Sequence, residues 1–495
     1  AAYSNASSAE ESAHHCSELS GAFGQLRTRF QKMLGGASAV TPLVAMLLLV
    51  PVSSAAQGTD PGVTQGAAAQ PVGAEVIGGQ TAPAQSQVPA PAPTQPDVDA
   101  PAWLTVGAEY RGRAEGSSNL SSIGGRDDSY YLNRLRVDAT VRASAWLRGF
   151  VQVQDSRLAA FDGAGTPATH GNAADLRQGY VEAGRTQSGF GMRVGRQTLV
   201  YGTQRLLGAL DWTNTSRAFD AARSWWAAPG WRVEAFAASV VRVEQGRFDR
   251  SRDDERLFGA VTTLSAAIPN GTLEPFIFVK RADSVSGERP GTGRGDVYTV
   301  GSRFVGKLPR GFDYDGELAL QRGSWANDDI RSSATHLSLG WRPSSVARFF
   351  VEHNFASGDD DPTDGRRGTF DQLYPTNHAK YGIADLQGWR NMHDVAVGLA
   401  ASPRRQVLVT AAYHRFFLST LTDAMYSAGG GKVVTNPLAG SRDVGSEWDV
   451  TTTYTMSRTF AVQAGLAVFS SGDFLKATRQ GGTVWKPYLM WTTKF

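Results

Sequence analysis

The chain has 495 residues, including 55 Gly, 22 Pro and a single Cys; 19% are charged and the formal net charge is +3. So slight a balance, with no Lys/Arg-rich run, excludes the electrostatic footprint of a nucleic-acid-binding protein. The most apolar run, residues 43–52, falls well short of the ~20 residues a spanning helix needs, which excludes a polytopic helical membrane protein; abundant Gly, Thr and aromatic residues favour sheet instead.

Arg27, Arg29 and Lys32 precede an apolar stretch from Val40 to Val52, followed by Ser53-Ser54-Ala55-Ala56-Gln57. A basic region, an apolar region and small residues in that order predict a secretory signal segment over 1–56, cut after Ala56. Cys16 lies upstream of the cut, so the mature chain would hold no cysteine and no disulfide, thiolate or Cys-based metal chemistry, as suits the Gram-negative envelope. Residues 57–100 are rich in Ala, Pro, Gln and Gly, with no Lys or Arg, and are too poor in large apolar groups to offset the entropy of ordering; they are expected to form a disordered periplasmic linker.

From residue 101 to 495 the pattern changes to alternation. Leu135, Val137, Ala139 and Val141 share one face of a strand, and Arg134, Arg136, Asp138, Thr140 and Arg142 share the other. The opposition recurs: Asp313, Asp315 and Glu317 against Tyr314, Leu318 and Leu320; Arg348, Glu352 and Asn354 against Phe349, Val351 and Phe355; Glu447 and Asp449 against Trp448 and Val450. Short turns alternate with long polar connections, the latter read near 114–128, 158–174, 201–215, 244–254, 283–294, 324–332, 357–391, 419–444 and 472–482. Eight short and nine long connections join eighteen strands, the signature of an all-β, transmembrane, antiparallel outer-membrane β-barrel. The last strand places Trp485, Leu489, Trp491 and Phe495 on one face, which resembles the terminal signal read by barrel-assembly machinery.

Three stretches carry a family resemblance: Leu176-Arg177-Gln178-Gly179-Tyr180-Val181-Glu182; Val194-Gly195-Arg196-Gln197 through Tyr201-Gly202-Thr203-Gln204-Arg205-Leu206 to Asp211-Trp212-Thr213-Asn214 and Arg217-Ala218-Phe219-Asp220; and Ala356-Ser357-Gly358-Asp359-Asp360-Asp361-Pro362-Thr363-Asp364-Gly365 through Phe370-Asp371-Gln372-Leu373-Tyr374-Pro375-Thr376-Asn377-His378 to Gly388-Trp389. Together they resemble the alginate export family of outer-membrane porins. The resemblance implies an eighteen-stranded barrel whose arginine-lined lumen attracts an anionic uronate polysaccharide.

By parity the lumen-facing bases are Arg111, Arg113, Arg134, Arg136, Arg142, Arg148, Arg193, Arg232, Arg303, Arg342 and Arg348, with Lys280 and Lys486. Guanidinium forks suit carboxylates and would raise the local anion concentration; the competing reading pairs them with Asp and Glu across the wall to make it rigid. The connection over 357–391 is long enough to be functional, and Phe370, Tyr374 and Trp389 give it apolar anchors, so it is expected to narrow the pore together with Asp359, Asp361 and Asp364. Its aspartates also have the chemistry of a Ca²⁺ site, a solvated acidic turn being the plainer reading. His336 and Ser338 stand two apart on a strand, as in barrel lipid hydrolases, but on its polar face. The sequence therefore reads as a porin for anionic or polar solutes in the outer membrane, with membrane lipid, assembly machinery and the solute as partners, an undefined periplasmic partner, and no cofactor, metal or catalytic residue assigned.

Overall fold

The computed structural model describes residues 102–123, 125–160, 166–265, 267–479 and 481–495. The signal segment expected over 1–56 and the linker expected over 57–100 lie outside the described residues.

Eighteen long strands follow one another: β1 Leu104–Ser117, β2 Asp128–Ser144, β3 Leu147–Ala159, β4 Asn172–Gly184, β5 Gly189–Gln197, β6 Phe219–Ala228, β7 Trp231–Arg242, β8 Glu255–Ser265, β9 Gly271–Ser286, β10 Thr292–Lys307, β11 Phe312–Trp325, β12 Asp328–Trp341, β13 Ala347–Ala356, β14 Met392–Arg404, β15 Val407–Leu418, β16 Asp443–Thr455, β17 Phe460–Ser471 and β18 Thr483–Lys494. Each is antiparallel to the next, and β1 also pairs with β18 over Glu109–Glu115 and Tyr488–Lys494, so the sheet closes. Closure removes both edges, which is how a strand-built wall satisfies its backbone hydrogen bonds in hydrocarbon. Phe495 completes the seam: its N–H donates to the Ala108 carbonyl at 2.9 Å, and Ala108 N–H donates back at 3.2 Å.

The alternation read from the sequence is the wall's inside and outside. Leu135, Val137, Val151, Val181, Val300, Leu320, Leu337, Val351 and Val397 are exposed on the outer face, whereas Arg134, Gln321, His336, Glu352 and Asp394 on the other face are buried. Trp103, Trp146, Phe190, Trp226, Trp231, Phe312, Trp341 and Phe349 are exposed at the end that carries the short turns, where interfacial aromatics belong.

The loops differ from expectation at two places. The connections read as 283–294 and 324–332 shrink because the strands run on: β9 reaches Ser286 and β10 starts at Thr292, while β11 and β12 are joined by Ala326 and Asn327 alone. Asp328 and Asp329 read as loop residues by composition, but the register Trp325↔Asp328 continues the ladder through them. A six-residue helix, α1 Asp473–Thr478, follows β17 and buries Phe474 and Leu475.

At the seam, a Cβ on Gly112 would meet the Trp491 ring at 2.5 Å and the Tyr131 hydroxyl at 2.6 Å, because Trp491 stacks on Tyr131 at 5.7 Å directly over this glycine. Gly112→Ala is therefore expected to lower barrel stability by about 1–3 kcal/mol through forced displacement of the stack. Urea unfolding of the refolded barrel in detergent, followed by Trp fluorescence, measures it; a midpoint unchanged from the parent would show that Trp491 moves aside freely.

Candidate functional site

The barrel interior is built by two long connections that turn inward. The first, 198–218 between β5 and β6, is held by arginines projecting from β1 and β2. Arg111 donates to the carbonyls of Asp211 (2.7 Å), Trp212 (3.1 Å) and Thr213 (3.0 Å), and Arg113 donates to Trp212 O at 2.6 Å. Arg136 reaches the Asp211 carboxylate and the Ser216 hydroxyl, both at 2.7 Å, and Arg134 bridges Glu109 at 2.8 Å and Asp211 at 3.2 Å. Burial alone would raise the Asp211 carboxyl, but the guanidiniums of Arg134, Arg136 and Arg111 outweigh it and hold the group well below the usual carboxylate range. Asn214 adds three Nδ2 donations, to the carbonyls of Asn133, Arg157 and His170.

The second connection, 357–391 between β13 and β14, crosses the interior. Tyr374 hydrogen-bonds Glu255 of β8, Asp371 meets Lys280 of β9 at 3.2 Å, and Gln321 of β11 donates to Asp371 O at 2.7 Å. Its other end reaches the far wall: Ile383 N–H donates to Asp449 at 3.0 Å, Ala384 N–H to Glu447 at 2.8 Å, and Lys486 of β18 donates to Ala384 O at 2.5 Å. The two connections also bond one another. Gly208 N–H donates to Tyr374 O, Tyr374 N–H to Leu206 O, and Thr376 N–H to Gln204 O, at 2.8–2.9 Å. Trp212 is sandwiched between the Arg113 guanidinium at 3.7 Å and the His378 ring at 3.6 Å, tying wall, first connection and second into one stack.

Beneath these contacts lies an apolar core that the sequence reading missed. Phe236, Phe276, Phe278, Phe416 and Phe469 project inward and pack with Leu206, Leu207, Phe370, Tyr381 and Trp389 from the connections. Arg205 is wholly buried in this layer, donating to Glu352 at 2.8 Å and facing His336 Nε2 at 3.3 Å, with its guanidinium over Tyr381 at 5.3 Å. Inward positions carrying Phe in the middle of β7 and β9 and near the loop-bearing end of β15 and β17 were the available signal, masked by the expectation that any lumen face is polar.

Most of the arginines singled out by parity face inward, yet they are engaged. Beyond Arg111, Arg113, Arg134 and Arg136, Arg148 and Arg193 share Glu182, Arg232 bonds Glu234, Arg303 bridges Asp315 and Glu274, and Arg348 grips Asp313. Arg142 donates to the Thr105 hydroxyl at 2.8 Å near the short-turn end. Arg342 is displaced from the set: β12 ends at Trp341, so Arg342 lies exposed in the turn beyond it. Of the residues expected in the constriction, Phe370, Tyr374 and Trp389 are buried inside and Asp359 is buried at the root of the connection, donating its N–H to Asp423. Asp361 and Asp364 stand elsewhere, on an exposed turn where Asp361 accepts from Thr363 and Asp364 from Arg366 N–H, so they do not narrow the interior. His336 and Ser338 are both buried on the inner side, away from lipid, and His336 Nδ1 is bonded to Asn354 at 2.8 Å.

Arg177 was not among the parity set, because odd positions of β4 such as Val181 face outward. The register between β3 and β4 slips from Gln152↔Gln178 to Val153↔Leu176, and this bulge turns Arg177 inward, where its Nε and Nη1 are buried with no partner among the described residues.

A closed eighteen-stranded wall with a bonded pair of inward connections coincides with a sequence match over almost the entire wall: the model of the alginate export family covers residues 102–483. The chain belongs to the alginate export family. Its barrel is that of a porin of the Gram-negative outer membrane, and its fold is shared by crystal structures of Occ porins. Acinetobacter baumannii OccAB1 superposes with a TM-score of 0.57 at 11% identity, covering 82% of this chain and 100% of that one. Pseudomonas aeruginosa OccK2 (OpdF) in complex with glucuronate gives 0.53 at 12% identity over 79% and 98% of the two chains. Pseudomonas aeruginosa OpdK with vanillate gives 0.51 at 10% identity over 79% and 98%. Among curated proteins none matches in sequence.

Arg205 joins the first connection to the wall through a buried ion pair, so Arg205→Ala would leave Glu352 buried without its guanidinium, with the Asn354 amide at 2.8 Å and the His336 ring at 3.4 Å beside it, a change of about 3 kcal/mol. This alginate export family porin should then keep its barrel by circular dichroism but show a larger, noisier single-channel conductance; a folded variant with parental conductance would show that the connection does not narrow the pore. Mild acid should not mimic it. Burial raises the Asp371 carboxyl, but Lys280 and Arg390 pull it well below its ordinary value, so its contribution is complete above about pH 3.9 and lost only as pH falls through the lowered value. The seating of the connection at Asp371, read as resistance of the 370–374 segment to limited proteolysis, should accordingly be unchanged between pH 7 and pH 5.

Proposed function

We propose that this porin passes small organic anions, uronates among them, by diffusion through the gap left by the two inward connections, and that it performs no catalysis. The observation that carries the reading is the fate of the inner cations. Nearly every inward arginine is matched to a carboxylate or a backbone carbonyl, but among the described residues Arg177 Nε and Nη1 have no hydrogen-bond partner, nor has the ammonium of Lys380 on the second connection. Arg177 lies within electrostatic reach of Arg136, Arg134 and Arg196 against Asp211, a local excess of positive charge, whereas the charges around Lys380, Arg205 and Arg303 with Glu352 and Asp315, balance one another. A cation without a fixed partner in a partly desolvated passage favours a carboxylate solute.

The cross-links between the connections support a small solute in preference to a polymer. The hydrogen bonds of Gly208 with Tyr374 and of Thr376 with Gln204 close the space between the two connections, so a branched or coiled polymer would have to part them, whereas a single acid needs only the space beside them. That OccK2 was crystallised with glucuronate and OpdK with vanillate fits the same class of solute, both being carboxylic acids.

Burial and the nearby Arg205 push the Lys380 ammonium down to about 8. It carries its charge below that value and loses it above, so anion preference, read as the reversal potential under a salt gradient in a planar bilayer, should weaken as pH is raised from 7 to 9. Lys380→Gln should flatten that dependence, and Arg177→Gln should shift the potential towards cations at both pH values. Proteoliposomes should admit glucuronate faster than glucose. Equal entry of the two, with a reversal potential indifferent to both substitutions, would assign the pore to unselective diffusion.

A further inference from the structure

The outer surface of the wall carries a feature that transport does not use. On four strands of the stretch β8 to β12, all but β10, outward arginines stand at the end bearing the long connections: Arg256, Arg281, Arg322 and Arg331, all exposed and alternating with inward residues that are buried or partly buried. They are placed in register as like-charge neighbours. Arg256 pairs directly with Arg281, and Arg322 directly with Arg331. Like charges facing each other across a ladder are unfavourable in isolation, so two such pairs, separated by the single strand β10, point to a counter-charge supplied from outside the chain.

Elsewhere on the same rim the chain supplies the counter-charge itself. Arg157 is bridged to Asp155 at 2.7 Å, Arg196 to Asp220 at 2.8 Å and Arg415 to Asp443 at 2.5 Å. Of the four outward arginines only Arg281 has a carboxylate among the described residues, Asp296 at 3.1 Å. Arg256 donates to the backbone carbonyls of Arg252, Asp253 and Glu255, Arg322 to the carbonyl of Gln321, and Arg331 to nothing among the described residues. Asp283 and Asp329 are exposed one step further from the membrane, so the carboxylates form an outer tier and the guanidiniums border the apolar surface directly. That surface is continuous: Phe258, Ile277, Val300, Leu318, Leu320, Leu337 and Leu339 are exposed immediately below.

We propose that this patch docks a phosphorylated lipid of the outer leaflet, its phosphates held by Arg256, Arg281, Arg322 and Arg331 and its acyl chains laid along the apolar strip beneath. Guanidinium forks match phosphate oxygens bidentately, and phosphate between two facing arginines converts the repulsion within each pair into attraction. A lipid satisfies both halves of the patch at once, since its chains and its charge arrive at the same boundary between hydrocarbon and headgroup. The inference rests on the outer-membrane placement and is independent of which solute the lumen passes.

The test uses the full refolded barrel in nanodiscs of phosphatidylcholine doped with bis-phosphorylated lipid A, with retained lipid counted by native mass spectrometry. The parent should retain lipid A over phosphatidylcholine, and Arg256→Gln/Arg281→Gln/Arg322→Gln/Arg331→Gln should retain it about tenfold less or weaker still. Dephosphorylated lipid A should not be retained, excess inorganic phosphate should not displace the lipid, and Arg157→Gln/Arg415→Gln should behave as the parent. Should the fourfold variant fail to fold, Arg322→Gln/Arg331→Gln gives the same reading with a smaller loss. Equal retention by the folded variants, retention of the dephosphorylated lipid, or displacement by free phosphate would each overturn the proposal. Single-channel conductance of the same variants should stay parental, which separates this surface from the lumen.

Discussion

Everything in this molecule depends on one requirement, that no backbone N–H or C=O be left without a partner in hydrocarbon. A sheet meets it only by closing, and the Glu109–Glu115 to Tyr488–Lys494 pairing is where the chain does so. Once closed, the wall dictates the rest. Period-two geometry sorts each strand into a lipid-facing set and an inward set, and the inward set must then find partners for a large number of charged groups in a confined space. The connections between β5 and β6 and between β13 and β14 supply those partners, offering carbonyls and carboxylates to the arginines of β1 and β2 and N–H groups to the carboxylates of β16. The interior is thus assembled from needs that the wall creates.

Arginine performs several distinct tasks here, and context decides which. Arg111 and Arg113 act as backbone clamps, Arg205 as a buried strut against Glu352, Arg303 as a cross-link between the neighbouring strands β10 and β11, and Arg348 as one that reaches from β13 past β12 to β11. The same side chain on the outer rim faces another arginine, and at a bulge in β4 two of its donors have no partner among the described residues. A count of arginines on the inner face consequently overstates the charge available to a solute, because most of it is neutralised within the wall.

The fold was legible because hydrophobic alternation is local: Leu135, Val137 and Val141 announce their side of the wall within seven residues, and parity carries that to every strand. Legibility failed where the determinant was non-local. Asp328 and Asp329 look like loop residues but lie on a ladder set by their partners on β11; Arg177 breaks parity because β3 and β4 slip past one another; Arg342 shares its strand's parity but falls beyond the last paired residue. The apolar anchors Phe370, Tyr374 and Trp389 marked the second connection correctly as structured, since so much aromatic surface could not stay in water. The first connection carried no comparable excess of length or aromatics, and its inward course follows from arginines some hundred residues away in sequence.

That separation has a consequence for the order of events in assembly. The contacts that seat the inward connections join Arg111 to Asp211, Glu255 to Tyr374 and Lys486 to Ala384, each pair more than ninety residues apart, and they draw on strands from opposite sides of the ring. Contacts between such distant segments carry a large loop-closure entropy until the wall has already brought the segments together. The connections therefore seat last, into a wall whose curvature is already set, and during insertion the barrel passes through a stage in which its inner phenylalanines face water. The narrowing of the pore is, in this sense, the final folding step of the protein.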